Sequence, residues 1–497
     1  MEKEHESRSS PHYTSPNLSM PSQSAPTQER IDVNMFDRAV HLALNPPPVN
    51  PLTGTSDPQM LQEKQSAEEY LRQFANLPNA WLSALRMLQE TRNSNSKFVS
   101  LQAVEAFVRS PGYLTQSDDI RAQFRQELFR FTRQSLQSGL ICHEPAHVKN
   151  KLALILGWTI KRDYPERWPT AIKDILLLGS DTENISGVDL CLRTLQVLHA
   201  EITGNADTPR ADTESEHNVI VKDNIRQSTD VQQIVNYWYN IIQSYKHTNK
   251  DAALLCLNVI SSYIDWLDIQ FFVRQEYFSL FVECLQDSKL RIEAIECIYA
   301  ICNKGMADRT KLQLYNDMNI VSLLSSLPLD CSTEENEEFA SEVATTIALV
   351  TQNSLRAANT SEIASDADMH AIAQKLIQEA IELSLSYLEW DEGGFHVWVE
   401  VVPVVDEVMW HTKQHQLLAS GEQSKSNLVN FGLDRYTQRI CMAIVKRYKY
   451  PSNFDFDEVS IRTSGSFETV VFSVYEWLVL GYRKVMIMRN LRNSGKA

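Results

Sequence analysis

Apolar residues recur at three- and four-residue spacing along most of this chain, and the unit they build is a helix, a short break and a second helix. In residues 147–178, Val148, Leu152, Ile155, Leu156 and Ile160 form one apolar stripe. Pro165 and Pro169 then stop and restart the helix, because proline lacks the backbone donor and clashes one turn back. Trp168 lies between those prolines, and its expected role is to anchor the turn into the core, with stacking on a base as the alternative. Phe98, Leu101, Val104 and Val108 make a second stripe, Ala253, Leu257, Ile260 and Ile264 a third, and Leu290, Ala294, Cys297 and Ile301 a fourth. Such pairs recur at roughly 40 to 60 residues, and each leaves an apolar face open that only a neighbouring pair can cover. The pattern predicts an all-α fold, an α-solenoid.

The pattern also sets boundaries. Residues 1–32 are Ser/Pro-rich and lack apolar periodicity, which reads as a disordered leader. A helix is expected from about Val33, followed by the loop NPPPVNPLTGTSDP, and helices dominate from Gln59 to about Tyr450. The solenoid is assigned to 33–456 and an atypical segment to 457–497. The acidic stretches 204–217 and 330–338 read as solvated loops within the array.

Composition narrows the class. Fifteen glycines in 497 residues fall well below the usual share of about 7%, which argues for packed helices over a Gly-loop enzyme. Sixty-three acids against 47 Lys and Arg give a net charge of −16. That balance repels nucleic acid as a whole, so any RNA contact needs a local basic face. The eight cysteines form no CxxC pair; Cys256, Cys284, Cys297 and Cys302 sit in helical patterns and read as small buried hydrophobes. No secretory signal is visible in residues 1–30, and no apolar run reaches the length of about 18 that spans a bilayer. A soluble intracellular protein without membrane insertion is expected.

Catalytic signatures are missing: there is no Walker loop, GxSxG, HExxH or kinase set. His143 and His147 flank a proline and do not share a regular helix face, and the EWDEGGFHVW stretch near residue 390 reads as an interhelical turn at Gly393 and Gly394. No enzyme, metal site or cofactor is expected. The polar positions carry more. Gln102, Glu105 and Arg109 share the polar side of one helix, with a plain solvent face as the alternative. Asn150 and Lys151 open the helix of the 147–178 unit. Lys161, Arg162 and Arg167 make a positive cluster partly balanced by Asp163 and Glu166. Lys222 and Arg226 are one turn apart. Tyr237, Trp238 and Tyr239 are consecutive, so some of them must be core.

These words, read in order, resemble the tRNA exportins of the importin-β (karyopherin) superfamily. The resemblance is carried by KFVSLQAVE, HVKNKLALI with DYPERWP, GVDLCLRTLQVLHAEI, IVKDNIRQ followed by the WY pair, SSYIDWLDI and LRIEAIECIYAICNKGM. It runs from about Val33 to Met306, more faintly to about Phe456, and covers roughly half of a family member's length. Asp287 and Arg291 are spaced as in the second helix of a HEAT repeat, where such a pair ladders between neighbouring units. The resemblance implies a right-handed superhelix of HEAT repeats that binds tRNA together with GTP-bound Ran in the nucleus, passes the pore through nucleoporins, and releases its cargo in the cytoplasm after GTP hydrolysis by Ran. Carried over, the Ran-binding part falls at about 59–180, on Lys97, Phe98, Gln102, Glu105, Arg109, Asn150 and Lys151. Lys222, Arg226 and Lys304 are the candidates for RNA phosphates, against the alternative of solvated side chains. A HEAT scaffold that binds proteins and no RNA is the competing function, since fold alone does not settle it.

Overall fold

The computed structural model of the chain describes residues 31–45, 57–77, 79–204, 212–390, 395–419 and 432–447. Most of the expected leader, the loop after the first helix, the Gly393–Gly394 turn and the 457–497 segment lie outside these residues. Among the described residues the fold is all-α, of the HEAT-repeat kind, with no strand. The chain divides into two compact units, 1–234 and 235–497.

The first unit holds α1 (Val33–Leu44), α2 (Pro58–Ala75), α3 (Ala80–Glu90), α4 (Ser94–Arg109), α5 (Pro111–Leu114), α6 (Asp118–Gln137), α7 (Ala146–Asp163), α8 (Ala171–Leu178), α9 (Ile185–Thr203) and α10 (Asp212–Gln227). Asp32 caps α1 by accepting from Asn34 and Met35 N–H, which is why that helix starts at the expected place. α4, α7 and α9 pack in sequence into one row, with α3 against α4 and α8 against α9. All five residues of the 147–178 stripe are buried in α7. Gly157 lets α9 come close, since a Cβ there would meet Val197 Cγ1 at 2.6 Å. Trp168 is buried against Phe129, and its Nε1–H donates to Asp174 at 2.8 Å, so the proline turn is anchored as expected.

α11 (Asp230–Tyr245) contains the boundary between the units. The second unit continues with α12 (Lys250–Ile264), α13 (Gln275–Leu285), α14 (Arg291–Asn303), α15 (Asp308–Asp317), α16 (Ile320–Ser325), α17 (Glu334–Ala358), α18 (Ser361–Ser365), α19 (Ala367–Glu389), α20 (Phe395–Ala419) and α21 (Asp434–Arg447). Here α12, α14, α17 and α20 form the row. The third and fourth stripes are fully buried, and Trp238 takes the core position of its aromatic run while Tyr237 and Tyr239 are half-exposed. Cys256, Cys284, Cys297 and Cys302 are buried and in no disulfide among the described residues, and burial raises the thiols of Cys284 and Cys302 to about 11 and about 12.

The repeat period is written in the cross-links. Arg121 reaches Asp163, 42 residues on; Arg193 reaches Asn150 across 43; Lys151 reaches Glu105 across 46; Cys297 Sγ–H donates to Leu257 O across 40. These separations match the HEAT period of about 40 to 47. The expected ladder at Asp287 and Arg291 is present with different partners. Asp287 pairs with Lys250 at 2.6 Å, while Arg291 donates forward to Asn336 and lies over Phe339.

Two expected loops are shorter than read. α10 already begins at Asp212, and Glu214 and His217 pack against Lys161. α17 begins at Glu334, where the Thr333 hydroxyl caps Asn336 N–H and Glu334, Glu335 and Glu337 face the positive end of the helix dipole. The acids taken for loop residues are a helix first turn.

Candidate functional site

The candidate face in the first unit is built by α4 and α7. Their mutual packing places the polar side of α4 beside that of α7. Glu105 accepts from Arg109 Nη1 at 2.8 Å within α4, and from Lys151 Nζ at 2.6 Å across to α7. Burial would raise this carboxyl, but the two cations and their hydrogen bonds outweigh it and hold the pKa below the usual carboxylate value. Phe98 packs edge-on against His147 and lies 5.3 Å from the Lys151 ammonium. Asn150 is exposed and accepts from Arg193 of α9, itself paired with Asp189 at 2.9 Å. Gln102 is exposed on α4. Glu105, Arg109, Lys151 and Phe98 thus meet in one place.

Lys97 is different. Its ammonium is buried in an ion pair with Glu144, next to Ser94, so it faces inward from the helix that carries the others. The RNA candidates are not one cluster. Lys222 is half-buried on α10 without an ion-pair partner among the described residues, and Arg226 is paired with Asp223 at 3.1 Å. Lys304 is in the second unit, where its Nζ donates to the carbonyls of Ile264 and Asp265, both at 2.8 Å, at the end of α12.

The positive cluster at the end of α7 needs correction. Asp163 does not balance it at the surface but is fully buried, accepting from Arg121, Arg125 and Tyr113. Lys161 is buried too, with Glu214 at 2.7 Å and Glu201 at 3.3 Å. The apolar stripe and the charged residues share the last turn of α7, and packing of α6 and α9 settles which of them turn inward. Arg167 is held by Asp118 at 2.8 Å. Arg162 is the cation left over. Trp158 was not singled out from sequence, yet Lys161 Nζ, Arg109 Cζ and Arg162 Cζ lie 4.4, 4.7 and 5.2 Å from its ring centroid. The i, i+3 and i, i+4 spacing to Lys161 and Arg162 was a readable signal; the approach of Arg109 from α4 was not.

Comparisons with known proteins fall on these helices. Residues 67–133 match the importin-beta N-terminal domain, and residues 145–298 match the exportin 1-like protein family. In that order on one chain, the two matches carry a resemblance to the importin-β superfamily of helical-repeat proteins. Within it, the chain is similar to exportin-T. It is 24% identical to exportin-T of Danio rerio over 397 residues and 24% identical to that of Homo sapiens over 401, in each case 79% of this chain and 39% of the relative. Exportin-T of Dictyostelium discoideum is 29% identical over 301 residues, 60% of this chain and 26% of that protein. The chain therefore spans about two fifths of the length of the first two relatives.

Proposed function

We propose that this chain acts as a nuclear export receptor for tRNA, binding tRNA cooperatively with GTP-bound Ran in the nucleus and releasing it in the cytoplasm after Ran hydrolyses its GTP. The observation that carries this reading is the similarity to exportin-T along 79% of the chain, in the order of the family matches. The candidate Ran-binding part is about 59–180, where Phe98, Gln102, Glu105, Arg109, Asn150 and Lys151 offer a mixed-charge face and Lys97 supports it from beneath. Lys222 is the freest of the RNA candidates. Shuttling between nucleus and cytoplasm through nucleoporin contacts follows from the same reading, and no catalysis by the chain itself is proposed. Cooperativity here means that each ligand raises affinity for the other by the same factor.

Electrophoretic mobility shift of labelled tRNA with the full 497-residue chain, with and without GTP-loaded Ran, tests the proposal. Binding that tightens with Ran-GTP and not with Ran-GDP is expected. Equal binding in all three conditions would overturn it. A HEAT scaffold without RNA binding is the second reading. It is favoured by the engagement of Lys304 with backbone carbonyls and of Arg226 with Asp223, and it expects no tRNA shift in any condition.

A further inference from the structure

Among the described residues, one cation beside the candidate face has no carboxylate in ion-pair range. Arg162 is half-buried, donates Nη2 to the Arg109 carbonyl at 3.4 Å, and forms no ion pair among the described residues. Its Nε–H is buried without an acceptor. The Trp158 ring below it is 6% exposed, and the indole Nε1–H is likewise buried and unmatched. Arg109, whose side chain is 48% exposed, lies over the same ring. Burial, with the like charges of Arg121 and Arg109, holds the Arg162 guanidinium below its ordinary value, the carboxylates of Glu214 and Glu201 offsetting part of this. Buried polar groups are ordinarily paired, and a half-buried cation short of acceptors gains most from an incoming anion.

The surroundings select the kind of anion. Glu105 stands on Arg109, and Glu201 and Glu214 stand on Lys161, so carboxylates flank the unpaired guanidinium. A nucleic-acid backbone would bring its row of phosphates against them. A single carboxylate with basic neighbours meets opposite charge at each point, as complementary protein surfaces do. We infer that Arg162, together with Arg109 on the Trp158 ring, is a docking point for an acidic side chain of a protein partner whose flanking residues are basic. The inference rests on the reading of α4 and α7 as the face for the GTPase, and it adds Trp158 and Arg162 to that face.

Isothermal titration of the full chain with GTP-loaded Ran tests it, using Arg162→Ala, Arg162→Lys and Arg162→Glu, each checked for native helicity by circular dichroism. Arg162→Ala is expected to weaken binding about tenfold, the scale of one close charge pair. Lysine should recover little, because it lacks the planar fork that stacks on indole and grips a carboxylate at two points. Glutamate should lose more than alanine. If the wild type binds and all three variants match it, the inference falls and the proposed function stands. If the wild type itself does not bind the GTPase, both fall. Loss of tRNA binding in Arg162→Ala with unchanged GTPase affinity would make the acceptor a phosphate and overturn the carboxylate assignment.

Discussion

The two units pack helices in the same way but handle charge oppositely. In the first, charges are drawn into the seams between repeats: Asp163 is fully buried among Arg121, Arg125 and Tyr113, and Lys161 is buried between Glu201 and Glu214. In the second, the seam between α12 and α14 is closed by Ile260, Ile298, Cys256 and Cys297. Buried charge is scarcer in this unit, Lys311 being an instance among the described residues, and some of its half-buried charges are left in conflict. Glu293 and Glu296 are half-buried on α14, and among the described residues neither has a cation in ion-pair range. Burial first, then repulsion from Glu338 and other acids, raises both carboxyls. Apolar seams are tolerant of register and partner, whereas a buried ion pair demands one geometry. The first unit is the more exacting in its assembly, and it is the one that carries the candidate face.

That contrast can be broken in three places. Asp163→Ala should have the largest effect, a loss of about 3–5 kcal/mol, because it leaves Arg121 buried without a counter-charge. Urea unfolding monitored by circular dichroism reads it, and a loss below 1 kcal/mol would mean the network contributes no more than a surface pair. Glu105→Gln should cost about 1 kcal/mol by removing the carboxylate shared by α4 and α7. Since the Glu105 pKa is depressed, its contribution is present above the ordinary carboxylate pKa and fades as pH falls through the lower folded value. The variant and wild type should therefore converge in melting temperature on acidification; a constant difference down to the acid limit contradicts the pairing. Glu293→Gln with Glu296→Gln should have the smallest effect and the opposite sign, a gain of under about 1 kcal/mol after allowance for solvent screening. With pKa values raised, the penalty is full above the folded values and is relieved as pH falls through them. Scanning calorimetry should find the double variant more stable at pH 7 and the gain gone in acid.

Much of this was legible from residue order, for a physical reason. A helix hides residues at a fixed spacing, so Val148 to Ile160 and Leu290 to Ile301 announced their burial locally. The polar side of α4 was legible in the same way. What sequence could not supply was the register between helices. The Glu105–Lys151 bond spans 46 residues and depends on how far α7 slides along α4. Asp163 looked like a surface neighbour of Arg162 because nothing local tells that Arg121 and Arg125 lie one repeat away. The start of α17 was a different kind of miss, since Thr333 followed by Asn336 and three acids is a capping signal that the acidic composition concealed.

The separations of the cross-links have a consequence for how such a chain is made. The four bonds that mark the repeat period join residues 40 to 46 positions apart, so none of them waits for a distant part of the polypeptide. At a synthesis rate of about 5–20 residues per second, the partner of a newly formed helix pair leaves the ribosome roughly 2 to 10 seconds later. Apolar faces are exposed only for that interval. The array can close behind the ribosome one seam at a time, with Asp163 receiving Arg121 and Arg125 from α6, a helix already made.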